Sequence, residues 1–190
     1  MLKHAFKEWA AICIALAEGR QALILRKGGI GEPAGDFLVE HTRFWLFPTY
    51  VHQQRDGLQE AALPLLEQAQ AQRPPPGIVR LTHFADIDGI YRVRDLPPVL
   101  LLSHLHLWSQ ETVAKRFAYR VPELYVLPVR VWRAAEVHEL ADTAHYQGCK
   151  SWVELEHELS TENSTPVLSE KAFRDVHRQL DMLLNPRALA

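Results

Sequence analysis

Three stretches of this sequence hold residue types whose spacing could do chemistry, and the first is Arg26-Lys27-Gly28-Gly29. Two adjacent glycines let a backbone approach a ligand closely, and exposed amides beside two cations suit a phosphate. No Gly-Lys-Ser/Thr element follows, so this is not a nucleoside-triphosphate loop. The same residues also suit a hairpin turn with solvated charges. The second stretch is Phe44-Trp45-Leu46-Phe47-Pro48-Thr49, followed by Tyr50 and His52. On a strand, Trp45 and Phe47 share one face and Phe44 and Leu46 the other. One face could be core and the other a platform on which a nucleobase stacks; the alternative is a set of buried aromatics around a proline stop. The third is Arg116 and Arg120, four apart on one predicted helix face with Lys115 beside them. They could touch two phosphates across a groove mouth. Arg92 and Arg94 share a strand face, whereas Arg130 and Arg133 do not; ion pairing with Glu123 and Glu136 is the other use for these arginines.

Weaker constellations accompany these. His104 and His106, like Asp86 and Asp88, are two apart and would project to one side of a strand, an acceptable but generic metal-ligand geometry. No metal and no cofactor is assigned. In Gly148-Cys149-Lys150-Ser151-Trp152, Lys150 would favour a thiolate and His145 is close in sequence, but no cysteine-hydrolase signature surrounds the thiol. A structural cysteine after a turn is the simpler reading, and Trp152 is either a packing residue or a second stacking surface. Glu154 and Glu156 form a paired-carboxylate candidate or merely solvated charge. Asp36 and Glu40 begin a nuclease-like pattern that fails at Thr42, where a lysine is needed. The glutamate-rich helix of Nudix hydrolases is missing too, since Glu60 and Glu67 stand apart. If the protein is a hydrolase or nuclease, His52, Glu40 and Lys27 are its candidate catalytic groups, with His52 as acid or base.

The elements that must position these residues follow from periodicity. Phe6, Trp9, Cys13 and Leu16 predict an amphipathic helix that stops at Gly19, and Leu23 to Leu25 a short buried strand. A strand pair is expected from Phe37 to Phe47, bounded by Pro48, then a helix from Leu58 to Gln72 that Pro64 starts or kinks. Arg73 to Gly77 reads as a surface loop within one domain spanning residues 1–190. Ile78 to Val93 is strand-like with a bend at Asp88-Gly89, and Val99 to Leu102 predicts another buried strand. Ser109 predicts the N-cap of the helix carrying Val113, Arg116 and Phe117. Leu124 to Trp132 predicts a central strand, and Ser169 caps a last amphipathic helix through Phe173, Val176, Leu180 and Leu183. The expected fold class is therefore α+β, a small curled or barrel-like mixed sheet flanked by N-terminal and C-terminal helices.

Composition narrows the function classes. With a formal net charge of −2, any polyanion site must be a local patch rather than a property of the whole surface. Two cysteines are too few for a disulfide framework and point to a reducing, cytoplasmic setting. No apolar run, Pro97 to Leu102 included, is long enough to span a bilayer, so a membrane role is not expected.

Lys7-Glu8-Trp9, Arg26-Lys27-Gly28-Gly29-Ile30, Phe44 to Thr49 and Gly148 to Glu154 together resemble a short bacterial family catalogued as domain of unknown function 1802. That resemblance covers nearly the whole chain and implies a stand-alone intracellular protein. More distantly, Glu18-Gly19-Arg20-Gln21 followed by Leu23 to Arg26 is similar to the opening of the PUA-like superfamily, which includes the ASCH and EVE domains. There a helix leads through a glycine–basic–strand element into a small β-barrel. This likeness implies binding of RNA or modified bases. Some ASCH relatives are amidohydrolases, but the lysine and threonine they use after the glycine are replaced here by Arg20, Gln21 and Ala22. The leading expectation is a nucleic-acid-binding or modified-nucleotide-binding module, with RNA or DNA as partner. Arg26, Lys27, Gly28 and Gly29 would hold phosphate, Trp45 and Trp152 would stack, Thr49 would line the cleft, and Arg116 and Arg120 would extend the backbone track. The alternatives are the small hydrolase or nuclease and a protein-interaction subunit. The oligomeric state is left open.

Overall fold

The computed structural model describes residues 1–27, 40–51, 53–148 and 150–184. The chain opens with a strand, β1 (Leu2–Trp9), and only then turns into helix α1 (Ala10–Ala17). The helix predicted from Phe6 onward is thus corrected at its start. Helical spacing at Phe6 and Trp9 loses to ladder bonds on both edges of β1, which pairs parallel with β3 (Arg43–Thr49) and antiparallel with β7 (Trp152–Leu159). Helix α1 buries Ala10, Ala11, Ile12, Cys13, Ala15 and Leu16, so it is a core helix rather than an amphipathic one. It ends at Gly19, whose positive φ of 69° closes the turn.

Strand β2 (Leu23–Arg26) falls where the apolar run predicted one. β3 continues through Pro48 to Thr49; at Pro48 it pairs only with β1, so the missing N–H breaks no ladder with β4. Of the strand pair expected from Phe37, residues 37–39 lie outside the described residues. Helix α2 (Leu63–Ala71) starts with Pro64 in its first turn. Strands β4 (Ile78–Ile87) and β5 (Tyr91–Val93) are separated at the expected Asp88-Gly89 bend, where Gly89 has φ of 134°. The buried strand predicted at Val99 to Leu102 is instead the short helix α3 (Leu96–Leu100). Pro97 and Pro98 open it where a helix needs no N–H, a role they could not fill in a ladder. Ser109 caps α4 (Gln110–Ala118) through its Oγ, which accepts from Thr112 N at 3.2 Å. β6 (Leu124–Ala141) follows, then β7, the two-residue β8 (Thr165–Pro166) and α5 (Glu170–Leu184), which Ser169 caps as expected.

Among the described residues the strands form one mixed, open sheet in the order β2-β6-β4-β3-β1-β7, with β5 and β8 also on β6. β6 is its spine: Tyr125 and Val126 lie between β2 and β5, and Trp132 and Arg133 between β4 and β8. Helices α1, α4 and α5 cover one face, burying Phe6, Phe44, Leu46, Val129 and Val131. On the other face Ala5, Trp45, Phe84 and Val153 fall in one cross-strand row. Among the described residues their core contains no α-helical side chain; the sheet closes over its own side chains, with Tyr146 at the edge. No helix among the described residues is long and apolar enough to cross a membrane.

Candidate charged cleft at the junction of β1 and α1

Glu8 is the second-last residue of β1, and only 6% of it is exposed. A carboxylate so buried must be compensated. Its Oε1 accepts from Trp9 N at 2.9 Å, and its Oε2 lies 3.6 Å from Nη2 of Arg26, at the end of β2. Arg26 also donates to the Lys7 carbonyl at 3.0 Å and lays its guanidinium 4.0 Å over the Phe6 ring. Thr49 Oγ1 donates to the Glu8 carbonyl at 3.0 Å, fixing the end of β3 against the junction. From α4, Arg116 stacks 3.7 Å over Trp108, which meets Trp9 edge to face at 4.9 Å. Gly57 leaves no room for a side chain here, since a Cβ would lie 2.8 Å from Trp9 Cη2.

The electrostatics mark the junction as strained for charge. Burial pushes the Arg116 guanidinium down to about 10, the Glu8 carboxylate opposes the shift, and Arg26 adds to it. Burial also lowers Arg26, again against Glu8. One carboxylate therefore faces two guanidinium groups. Three buried donors near this junction have no partner among the described residues: Nε of Arg26, Nε2 of Gln53 and Nε1 of Trp108. Gln53 is anchored by its other end, because its Oε1 accepts from Ala11 N at 2.9 Å in the first turn of α1. A surplus of positive charge and unpaired N–H groups can receive an oxygen-rich ligand, such as a phosphate or the carbonyl edge of a base.

The structure brings Arg26, Thr49 and Arg116 together here, with Trp152 one ring away. Half-buried Trp152 lies 4.7 Å from Phe6, the ring that carries Arg26. Lys27 turns elsewhere, donating to the carbonyl of Phe117 in the last turn of α4 and to those of Val121 and Glu123 beyond it. Trp45 cannot stack on a base: it is fully buried and its Nε1 donates to the Leu2 carbonyl at 3.2 Å. Both faces of β3 are core, which corrects the expectation of one exposed aromatic face. Arg120 does not share a helix face with Arg116; it follows the end of α4 with φ of 59° and lies over its neighbour Tyr119. Glu40 is exposed, while Gly28, Gly29, His52 and Cys149 lie outside the described residues.

The other arginines and acids are mostly committed. Buried Glu123 holds Arg92 at 2.8 Å, Asp86 holds Arg43 at 3.1 Å, and Glu154 holds Lys3 at 2.7 Å. His104 bonds Gln179 on α5, whereas His106 is buried, so the two histidines diverge. Glu8, Gln53 and Trp108 had no assigned role in the sequence. The available signal was Glu8 itself, an acid directly before the apolar run from Trp9 to Ala17.

A mixed, open sheet with helices on one face, and with buried Glu8, Arg26 and Arg116 gathered at a strand-to-helix junction, defines an α+β protein. The model of the family described as Domain of unknown function (DUF1802) matches residues 5–179, and the chain belongs to that family. Among solved structures it is similar to ASCH from Zymomonas mobilis, at 11% identity and a TM-score of 0.46, covering 92% of this chain and 93% of that one. Two mutants of that protein are similar at a TM-score of 0.44, with 12% and 11% identity. They cover 94% and 92% of this chain, and 98% and 94% of their own. No curated protein matches.

Proposed function

We propose that this protein is a nucleic-acid-binding or modified-nucleotide-binding module that takes RNA or single-stranded nucleic acid at the Glu8–Arg26–Arg116 cleft. The observation that carries the reading is the set of three unpaired buried donors beside a carboxylate outnumbered by guanidinium groups. Phosphate or base-carbonyl oxygens supply the acceptors that these groups lack. Arg26 and Arg116 contribute charge, Gln53 and Trp108 contribute direction, and half-buried Trp152 offers a ring edge for an unstacked base. Lys27 serves the site indirectly, by holding the end of the helix that presents Arg116.

The test is binding of the full chain to short fluorescent RNA, single-stranded DNA and duplex DNA at two salt concentrations. Binding should weaken with salt, because each phosphate contact releases counterions, and should favour the single strands. Arg116→Gln and Gln53→Ala should each weaken binding about tenfold, while Lys171→Gln, on the far helix α5, should leave it unchanged. Absent or salt-independent binding would sink the proposal. Metal-dependent cleavage of the oligonucleotide would replace it with the hydrolase reading.

A further inference from the structure

A cavity of about 370 Å³ lies between α1, α2 and strands β3, β4 and β6, and it shares no residue with the Glu8 cleft. That volume falls within the roughly 300–1,000 Å³ that small-molecule sites occupy. Its apolar side is formed by α1, where Ile14 and Ala17 face it, and its polar side by Tyr50, Thr82, His83 and Arg133.

The polar side is built by a break in the ladder. Leu81 pairs with His138, but His83 already pairs with Arg133, so two residues of β4 span five of β6. Such bulges re-aim side chains and gather beside functional sites. Here the break sets His83 and Arg133 opposite each other at the cavity edge.

The charges lining the cavity are unequal. Glu18 accepts from Gln68 at 2.9 Å and lies 3.8 Å from Arg20, and Arg80 is held by Glu139 at 2.8 Å. Arg133 has neither a hydrogen bond nor an ion pair among the described residues. His83 bonds Thr82 Oγ1 through Nδ1 at 2.8 Å, which leaves its buried Nε2 without a partner there. Burial first, and Arg133 second, push His83 down to about 4, so the ring is neutral near pH 7. The uncompensated charge on the described lining is thus a single cation beside a neutral imidazole and a hydroxyl.

We infer that this cavity is a second ligand site, for a small organic anion whose carboxylate or phosphate meets Arg133 and whose apolar body lies against Ile14 and Ala17. A guanidinium pairs with either head group through two parallel N–H bonds. An apolar wall rewards a body that leaves water, and a bare inorganic ion would forgo that contact. The site is independent of the nucleic-acid reading, because none of its residues contributes to the Glu8 cleft.

The experiment is an amide chemical-shift titration of the full chain with 2-naphthoate, 2-naphthyl phosphate and the neutral 2-naphthamide. One or both anions should shift amides at Ile14, Ala17, Thr82 and Arg133, and the one that binds identifies the head group. Arg133→Gln, a change at an exposed position, should weaken the anions about tenfold and leave the amide unaffected. Ala17→Trp, which fills the cavity from the last turn of α1, should abolish the shifts while the rest of the spectrum stays native. The inference fails if neither anion shifts these amides at millimolar concentration. It also fails if the neutral amide binds as tightly as the anions, or if both variants bind like the wild type.

Discussion

At the scale of single residues, His106 ties the stability of the molecule to pH. It is 1% exposed, and burial, aided by Arg116 and His104, pushes it down to about 4. Its Nδ1 accepts from Trp108 N at 3.2 Å, so protonation would break a bond as well as bury a charge. Between pH 6.5 and about 4 the unfolded chain binds a proton that the folded chain refuses. Stability contributed by this residue is therefore complete above pH 6.5 and is lost as the pH falls through that window, by about 3 kcal/mol. Urea titrations across this range should show the slope, and His106→Asn should flatten it, because an amide oxygen keeps accepting from Trp108 without titrating. Parallel curves for the two proteins would assign the slope elsewhere, His83 being the other histidine held down to about 4. The same bond places the pH-sensitive ring next to the indole that lines the charged cleft.

At the scale of elements, the end of α4 is held by the residue that follows β2. The Lys27 ammonium gathers the carbonyls of Phe117, Val121 and Glu123, where a helix leaves acceptors unpaired and its dipole is negative. Lys27→Met should cost about 1–2 kcal/mol in urea unfolding. It should also weaken oligonucleotide binding through misplacement of Arg116, with the salt dependence unchanged. A lower salt slope would mean that Lys27 touches phosphate directly. Elements governed by local chemistry were legible in the sequence: the Ser109 cap, the Gly19 stop, the short run Leu23 to Leu25 and the periodic α5. Those decided by distant partners were not. β1 carries helical spacing, yet it is a strand because β3 and β7 flank it. Val99 to Leu102 reads as a strand until the two prolines before it are weighed as helix openers. Likewise, Arg26 and Arg116 were legible as charge and Thr49 as a polar neighbour. The roles of Glu8, Gln53 and Trp108 arise only where three chain segments meet, and Trp45 is buried because the sheet curls.

At the scale of the whole molecule, the chain order interleaves the strands. β1 pairs with β7, and β2 with β6, so among the described residues strands from early and late in the chain share one sheet. We expect residues 1–190 to unfold as one cooperative unit, with tryptophan fluorescence and far-ultraviolet circular dichroism following the same curve in urea. Two resolved transitions would show instead that part of the chain folds alone. The pairing of β1 with β7 also bears on synthesis. One edge of β1 waits for Trp152–Leu159, so at ~5–20 residues per second a nascent chain carries an open strand edge for roughly 7–30 s on the ribosome. Throughout that interval Leu2, Ala5 and Phe6 lack their β7 neighbours, and docking of β3 closes only the opposite edge of β1, so the waiting edge stays open to pairing with another chain.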